Sequence, residues 1–203
     1  HVEASYRQSW LVSKSWGDWR VEDKWLWRLS TRHGSTGVLG DVGIHILDFA
    51  TYGAADEIVR LQADLVTFPK AEGERIGDYV LDANDSIAMT ARLKSGALAT
   101  ITASRYMTGH ANDLWLSLHG TKGALRVETD GKTSRLSGSF GGDIDRQRWR
   151  KLPLPEVKRN ARRFADALDS GHNGDPSFRR AADMQKLIDA AFESAAAQRP
   201  VAT

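Results

Sequence analysis

Asp41, His45 and Asp48 occupy positions i, i+4 and i+7 of the stretch Gly37-Val38-Leu39-Gly40-Asp41-Val42-Gly43-Ile44-His45-Ile46-Leu47-Asp48. On a helix those three positions share one face. An unperturbed histidine titrates near pH ~6.5, so it can give or take a proton close to neutrality. A carboxylate one turn away can orient the ring and favour its charged form. The chemistry this points to is general acid–base catalysis. The same spacing also arises by accident, and a hydrogen-bonded structural histidine behind an N-cap aspartate fits the residues too. A metal ion on this face would find three ligands, all on one helix, with no obvious fourth.

Four glycines, at 34, 37, 40 and 43, lead into this face. They could let backbone approach a ligand or bind an anion at a helix N-terminus, or they could serve a loop that needs positive φ. They do not form a dinucleotide fingerprint, because Gly-x-Gly-x-x-Gly occurs nowhere in the chain. Gly131-Lys132-Thr133 resembles the tail of a phosphate loop, but Arg126 stands where that loop needs its first glycine. Five of the seven tryptophans lie between residues 10 and 27, where they could stack on a sugar ring or act as partly buried anchors. The basic run Arg159–Arg163 has Glu156, Asp166 and Asp169 for neighbours and reads as a solvated helix face. Asn84-Asp85-Ser86 matches a glycosylation acceptor, with nothing else in the chain to suggest secretion.

The elements that must carry these residues follow from period and punctuation. Residues 2–12 read as a strand, 13–36 as a polar, tryptophan-rich connection, and 38–52 as a helix. Asp41 suits its N-cap or first turn, and Gly53 its C-terminal stop. Alternating apolar residues predict strands at Glu57–Phe68, Ser86–Leu93, Ala97–Met107, Asp113–His119, Ala124–Glu128, Thr133–Leu136 and Gln147–Leu152. Residues 69–83 read as a charged, flexible loop. Lys94-Ser95-Gly96, Gly120–Gly123 and Asp130-Gly131 are hairpin signals, so the strands they join should be antiparallel. Pro155 suits the start of a helix near Glu156–Ser170, stopped by Gly171 before a loop through Pro176. Ser177 can cap a last helix, Phe178–Gln198, with Met184, Leu187, Ile188, Ala191 and Phe192 on one stripe. A helix, then strands, then helices predicts an α+β domain with an open, mainly antiparallel sheet and its helices on one face.

The 203 residues are 41% apolar and 27% charged, enough for a globular core. A net charge of +2 gives no field that favours nucleic acid. No apolar run approaches the roughly 20 residues of a membrane span. The absence of cysteine excludes a disulfide scaffold and fits a cytoplasmic protein. The chain opens on His1-Val2-Glu3 rather than on Met, which leads to the expectation that it was processed or excised from something longer.

Taken in order, several motifs resemble the C-terminal domain of the glucose–fructose oxidoreductase / inositol dehydrogenase / rhizopine-catabolism (Gfo/Idh/MocA) family. They are Tyr6-x-Gln8-x-Trp10-Leu11; Trp27-Arg28 followed by Gly34-x-x-Gly37-x-Leu39-Gly40-Asp41-x-Gly43-x-His45-x-x-Asp48; Ser95-Gly96-Ala97; Gly120-Thr121-Lys122-Gly123-Ala124-Leu125; and Pro176-Ser177-Phe178 through Ala190–Ala195. The resemblance spans nearly the whole chain. It implies one C-terminal α+β domain over residues 1–203, with the substrate pocket and an oligomer-building sheet. The NAD or NADP site, and a lysine in a Glu-Lys-Pro motif, would belong to an N-terminal dinucleotide-binding domain; neither motif is in this sequence. By resemblance, His45 exchanges a proton with the hydroxyl of a sugar, cyclitol or polyol, Asp41 orients that sugar or the His45 ring, and Trp27, Arg28 and Asp48 contact the substrate. The implied assembly is a homodimer or homotetramer through the sheet, with no nucleic-acid or membrane partner, and this chain alone would not turn over. Ile44, where a small polar residue is usual, and Ser35-Thr36, where glycines are usual, depart from the family pattern and loosen the substrate inference. Two other classes stand beside this reading: a non-catalytic dimerisation or binding module of the same fold, and a metal-assisted hydrolase or lyase using the same helix face.

Overall fold

The computed structural model describes residues 1–172, 174 and 176–203. The part of the expected Gly171–Pro176 loop at positions 173 and 175 lies outside the described residues. The chain begins in strand β1 (Val2–Gln8), and a long connection leads to helix α1 (Ile44–Ala54). Strands β2 (Ile58–Val66), β3 (Ser86–Leu93), β4 (Leu98–Ser104), β5 (Asn112–Gly120), β6 (Gly123–Thr129), β7 (Ser134–Phe140) and β8 (Arg150–Leu152) follow. Helices α2 (Asn160–Ser170) and α3 (Phe178–Ala197) and strand β9 (Val201–Ala202) close the chain. Among the described residues, nine strands form one sheet in the order β8-β7-β6-β5-β1-β4-β3-β2-β9.

The sheet is antiparallel at every pairing but one: β1 runs parallel to β4, from Val2 opposite Ala99 to Arg7 opposite Ser104. That pair brings the C-terminal ends of β1 and β4 side by side, which matters for the site. Alternation puts Val2, Ala4 and Tyr6 of β1, Ile87, Met89, Ala91 and Leu93 of β3, and Ala99, Ile101 and Ala103 of β4 on one face. There they meet Ile46, Leu47 and Ala50 of α1 and Met184, Leu187, Ile188 and Ala191 of α3 in a continuous apolar core. The opposite face carries Ser5, Arg7 and Trp115.

Several boundaries differ from the sequence expectation, each for a local reason. The first strand stops at Gln8 rather than at residue 12. Trp10 and Leu11 are both buried, which a strand's alternation forbids on one face, and the backbone turns through Val12 N–H to the Ser9 carbonyl at 2.9 Å. Residues 69–83 are not a flexible loop. They hold a short helical turn (Glu72–Glu74) and a small hairpin (Arg75–Ile76 with Tyr79–Val80), and Leu81 and Ala83 are buried. Leu81 joins Trp10, Leu11, Trp19, Leu26 and Leu29 in a second apolar cluster, so the tryptophan-rich connection and this segment pack as one cap. α2 starts at Asn160, because Arg159 is still extended. Ser177 caps α3 as expected, its hydroxyl accepting from Arg180 N–H at 3.2 Å.

Candidate active site

The helix that bears Asp41 and His45 begins at Gly37 and passes through a π turn over Leu39–Gly43 before continuing as α1. Asp41 is therefore inside the helix, not at its N-cap. The capping residue comes from 45 positions beyond Leu39 in sequence: the Asn84 backbone carbonyl accepts from Val38 N–H at 2.8 Å, and its side-chain oxygen accepts from Leu39 N–H at 3.0 Å. The Asn84 amide N–H₂ donates back to the Thr36 carbonyl at 3.1 Å. Gly37 has φ +68°, and a methyl group there would overlap the Asn84 amide. The motif that matched a glycosylation acceptor is thus a helix cap. Gly53, expected as the stop, lies inside α1 and lets Leu116 of β5 pack against it; Ala55 (φ 50°) ends the helix.

Asp41 is gripped by arginine. Arg105 Nη2 donates to Asp41 Oδ2 at 2.8 Å, and Arg28 Nε stands 3.9 Å from the same oxygen. Arg105 is wholly buried, whereas the Asp41 side chain is 36% exposed. The other Arg105 amino group donates to the Arg28 carbonyl at 3.1 Å, an oxygen that also accepts from the Ser35 hydroxyl at 2.5 Å. The Trp10 ring lies 5.0 Å from the Arg105 guanidinium carbon. Burial pulls the Arg105 pKa down, and the Asp41 charge opposes this.

His45 is exposed, and no hydrogen bond or ion pair joins its ring to Asp41 or to any other described residue. Its ring neighbour is Tyr6, 6.3 Å between centroids and tilted by 57°. The Tyr6 hydroxyl donates to Asn112 Oδ1 at 2.8 Å, which also accepts from Gln8 Nε2 at 2.8 Å. Trp10 Nε1–H donates to Gln8 Oε1 at 3.2 Å, closing the circuit back toward Arg105. Burial pushes the Tyr6 phenol up, the Asn112 bond offsetting part of this and the Asp41 charge adding to it. Tyr6 is then a neutral wall of the site at physiological pH.

The other expected contacts divide. Arg28 and Trp27 stand at the Asp41 side, with the Arg28 guanidinium 4.5 Å over the Trp27 ring, and Trp27 is 41% exposed. Asp48 is tied elsewhere: Arg180 of α3 donates from Nε to Asp48 Oδ1 at 2.6 Å and from Nη2 to the Asp48 carbonyl at 3.0 Å and Thr51 Oγ1 at 2.8 Å. Both carboxylates of the helix face are thus held by arginines. Among the described residues no group of three or more His, Asp or Glu is placed to hold a metal ion.

Of Arg105, Tyr6, Gln8 and Asn112, only Tyr6 and Gln8 figure in a motif of the sequence, and none has an expected role there. A signal for three of them was present. Val2, Ala4, Tyr6 and Gln8 share one strand phase, and Arg105 continues the phase of Ala99, Ile101 and Ala103. Polar residues at inward positions of a strand are held there by partners.

Residues 1–126 match the family model described as the GFO/IDH/MocA C-terminal domain. A levoglucosan dehydrogenase of Pseudarthrobacter phenanthrenivorans is 26% identical over 206 residues, covering 84% of this chain and 52% of that protein. The solved structure of a levoglucosan dehydrogenase in complex with NADH superposes with a TM-score of 0.80 at 25% identity, over 99% of this chain and 57% of that one. An aldose–aldose oxidoreductase from Caulobacter crescentus complexed with glycerol shares the fold, with a TM-score of 0.75 at 18% identity over 99% of this chain and 55% of that one. The chain spans about half the length of the curated relative it matches.

Proposed function

Because the chain belongs to the GFO/IDH/MocA C-terminal domain family, we propose that it is the substrate-binding and assembly half of an NAD(P)-dependent oxidoreductase acting on a hydroxyl of a sugar, cyclitol or related polyol. The observation that carries this is the pairing of an exposed, unpartnered His45 with a neighbouring Asp41 fixed by buried Arg105. His45 exchanges a proton with the substrate hydroxyl. Asp41, with its Oδ2 engaged, accepts a hydroxyl hydrogen at Oδ1, and Trp27 and Arg28 flank the ring. Similar proteins are named for levoglucosan, and one structure holds L-sorbose, so these two are the first substrates to try.

The residues present do not fit a dinucleotide. The first free N–H groups of the Gly37 helix, the usual place for a phosphate, are already taken by Asn84, and no βαβ unit with a glycine fingerprint is among the described residues. NAD or NADP is therefore assigned to a separate dinucleotide-binding domain. Titrating either into this chain is expected to show no saturable binding below about millimolar, a binding free energy weaker than about −4 kcal/mol. In the intact enzyme, His45→Ala is expected to cut turnover by about 10²–10⁴; an unchanged rate removes His45 from the chemistry.

The sheet face opposite the apolar core is the proposed assembly surface for a homodimer or homotetramer. It carries Trp115, with Arg7 5.5 Å over its ring, and beside it Trp149, with Arg126 at 4.4 Å. Sedimentation of the chain, and of its Trp115→Lys variant, tests this. No described helix is long and apolar enough to cross a membrane, and a cytoplasmic location is part of the same reading.

A further inference from the structure

Beneath Asp41 runs a line of alternating charges that the acid–base step does not use. Lys70 and Asp85 are paired at 2.7 Å with side chains 1% and 0% exposed. Asp85 Oδ2 also accepts from Phe68 N–H at 2.9 Å, and burial holds its carboxyl above the usual range despite Lys70. The Asp85 carbonyl accepts from Arg105 N–H at 3.0 Å, and the Asp85 charge helps keep the Arg105 guanidinium protonated. Arg105 reaches Asp41, and Arg28 stands beyond it. The order is Lys70 positive, Asp85 negative, Arg105 positive, Asp41 negative, Arg28 positive, and solvent touches only the last two. Among the described residues, Asp85 Oδ1 and Arg105 Nε have no hydrogen-bond partner, so the line is not fully satisfied there. Buried charges are expensive to desolvate, and apolar residues of the same volume commonly stabilise a fold as well or better. Stability alone is then a weak reason for three buried charges whose outlet is Asp41.

We propose that Arg105 is the positioning residue for the substrate-binding carboxylate. It fixes Asp41 Oδ2, leaves Oδ1 for a polyol hydroxyl, and holds Asp41 away from the His45 ring, so that His45 trades its proton with the ligand and not with Asp41. The proposal rests on the oxidoreductase reading above. Three contacts set the guanidinium plane: Asp41, the Arg28 carbonyl and the Trp10 ring. A lysine at 105 has one compact, rotatable charge and lacks the planar fork that meets the two acceptors from separate nitrogens.

The test is steady-state kinetics of the intact oxidoreductase with levoglucosan. Arg105→Lys is expected to raise KM about tenfold with kcat changed less than about threefold, the pattern of lost binding rather than lost chemistry. In an Asp41→Asn background, the same change is expected to move KM by less than about twofold, because no carboxylate is left to position. Equal KM effects in both backgrounds, or none in either, overturn the proposal. If Arg105→Lys does not fold, the wild-type chain carries the test through guanidinium ¹⁵N resonances. Saturating levoglucosan should move the Arg105 signal and leave that of Arg150, paired to Asp143, in place; a static Arg105 signal overturns the proposal. An intact wild-type enzyme that oxidises no polyol with NAD or NADP overturns the oxidoreductase reading itself, a result that needs no variant and is therefore distinguishable.

Discussion

The two ends of the helix from Gly37 to Ala54 solve the same problem in opposite ways. Each presents an aspartate that accepts an arginine hydrogen bond, Asp41 at 2.8 Å and Asp48 at 2.6 Å. At the N-terminal end the arginine is wholly buried; at the C-terminal end Arg180 is 27% exposed and its Asp48 partner 45%. The glycines differ too. Gly37 is needed for its backbone angle and for room beside Asn84, Gly53 for the approach of Leu116. Distance therefore does not rank these pairs. An ion pair open to water is screened and contributes little, while one sealed from water leaves a stranded charge when either partner goes. The exposed end staples helix to helix. The buried end fixes where a carboxylate points.

Stability measurements can break that comparison. Arg105→Met should lower unfolding free energy by about 3–5 kcal/mol, since it strands the buried end of the charge line. Chemical denaturation reads it, and a loss under about 1 kcal/mol would make the two ends equivalent. Gly37→Ala should lose about 2–3 kcal/mol, combining left-handed strain with a displaced cap. Gly53→Ala should lose about 1 kcal/mol, because better helix propensity offsets part of the overpacking against Leu116; a thermal melt showing a gain would mean Leu116 yields freely. Arg180→Ala should lose at most about 1 kcal/mol, and the loss should shrink further in high salt. A salt-insensitive loss would move Arg180 into the buried class.

Period and punctuation made the sheet, α1 and α3 legible, because each buries a regular stripe: Ile87, Met89, Ala91 and Leu93 alternate, and Met184, Leu187, Ile188 and Ala191 recur at helical spacing. The segment 69–83 was read as mobile because its charges are what sequence shows, and the partner that buries Lys70 is Asp85, fixed only in space. Asp41 and His45 were legible as a candidate acid–base face from local spacing and family resemblance. Their supports were not: Asn84 caps across 45 residues and Arg105 reaches Asp41 across 64. Nor does a hydrophobic period announce a π turn, which shifts helical phase by one residue without changing which residues are apolar.

That π turn has a consequence for how such a site can diversify. Its flanks are anchored, by Asn84 before it and by the burial of Ile46, Leu47 and Ala50 after it. A single-residue insertion or deletion within Leu39–Gly43 would be absorbed between those anchors, re-aiming Asp41 while the packed helix beyond stays in register. Loops are the usual place where chain length varies without harm. Here a stretch of helix wall can vary in the same way, so the Asp41 carboxylate can be redirected by a change of length where point substitution would have to disturb the core.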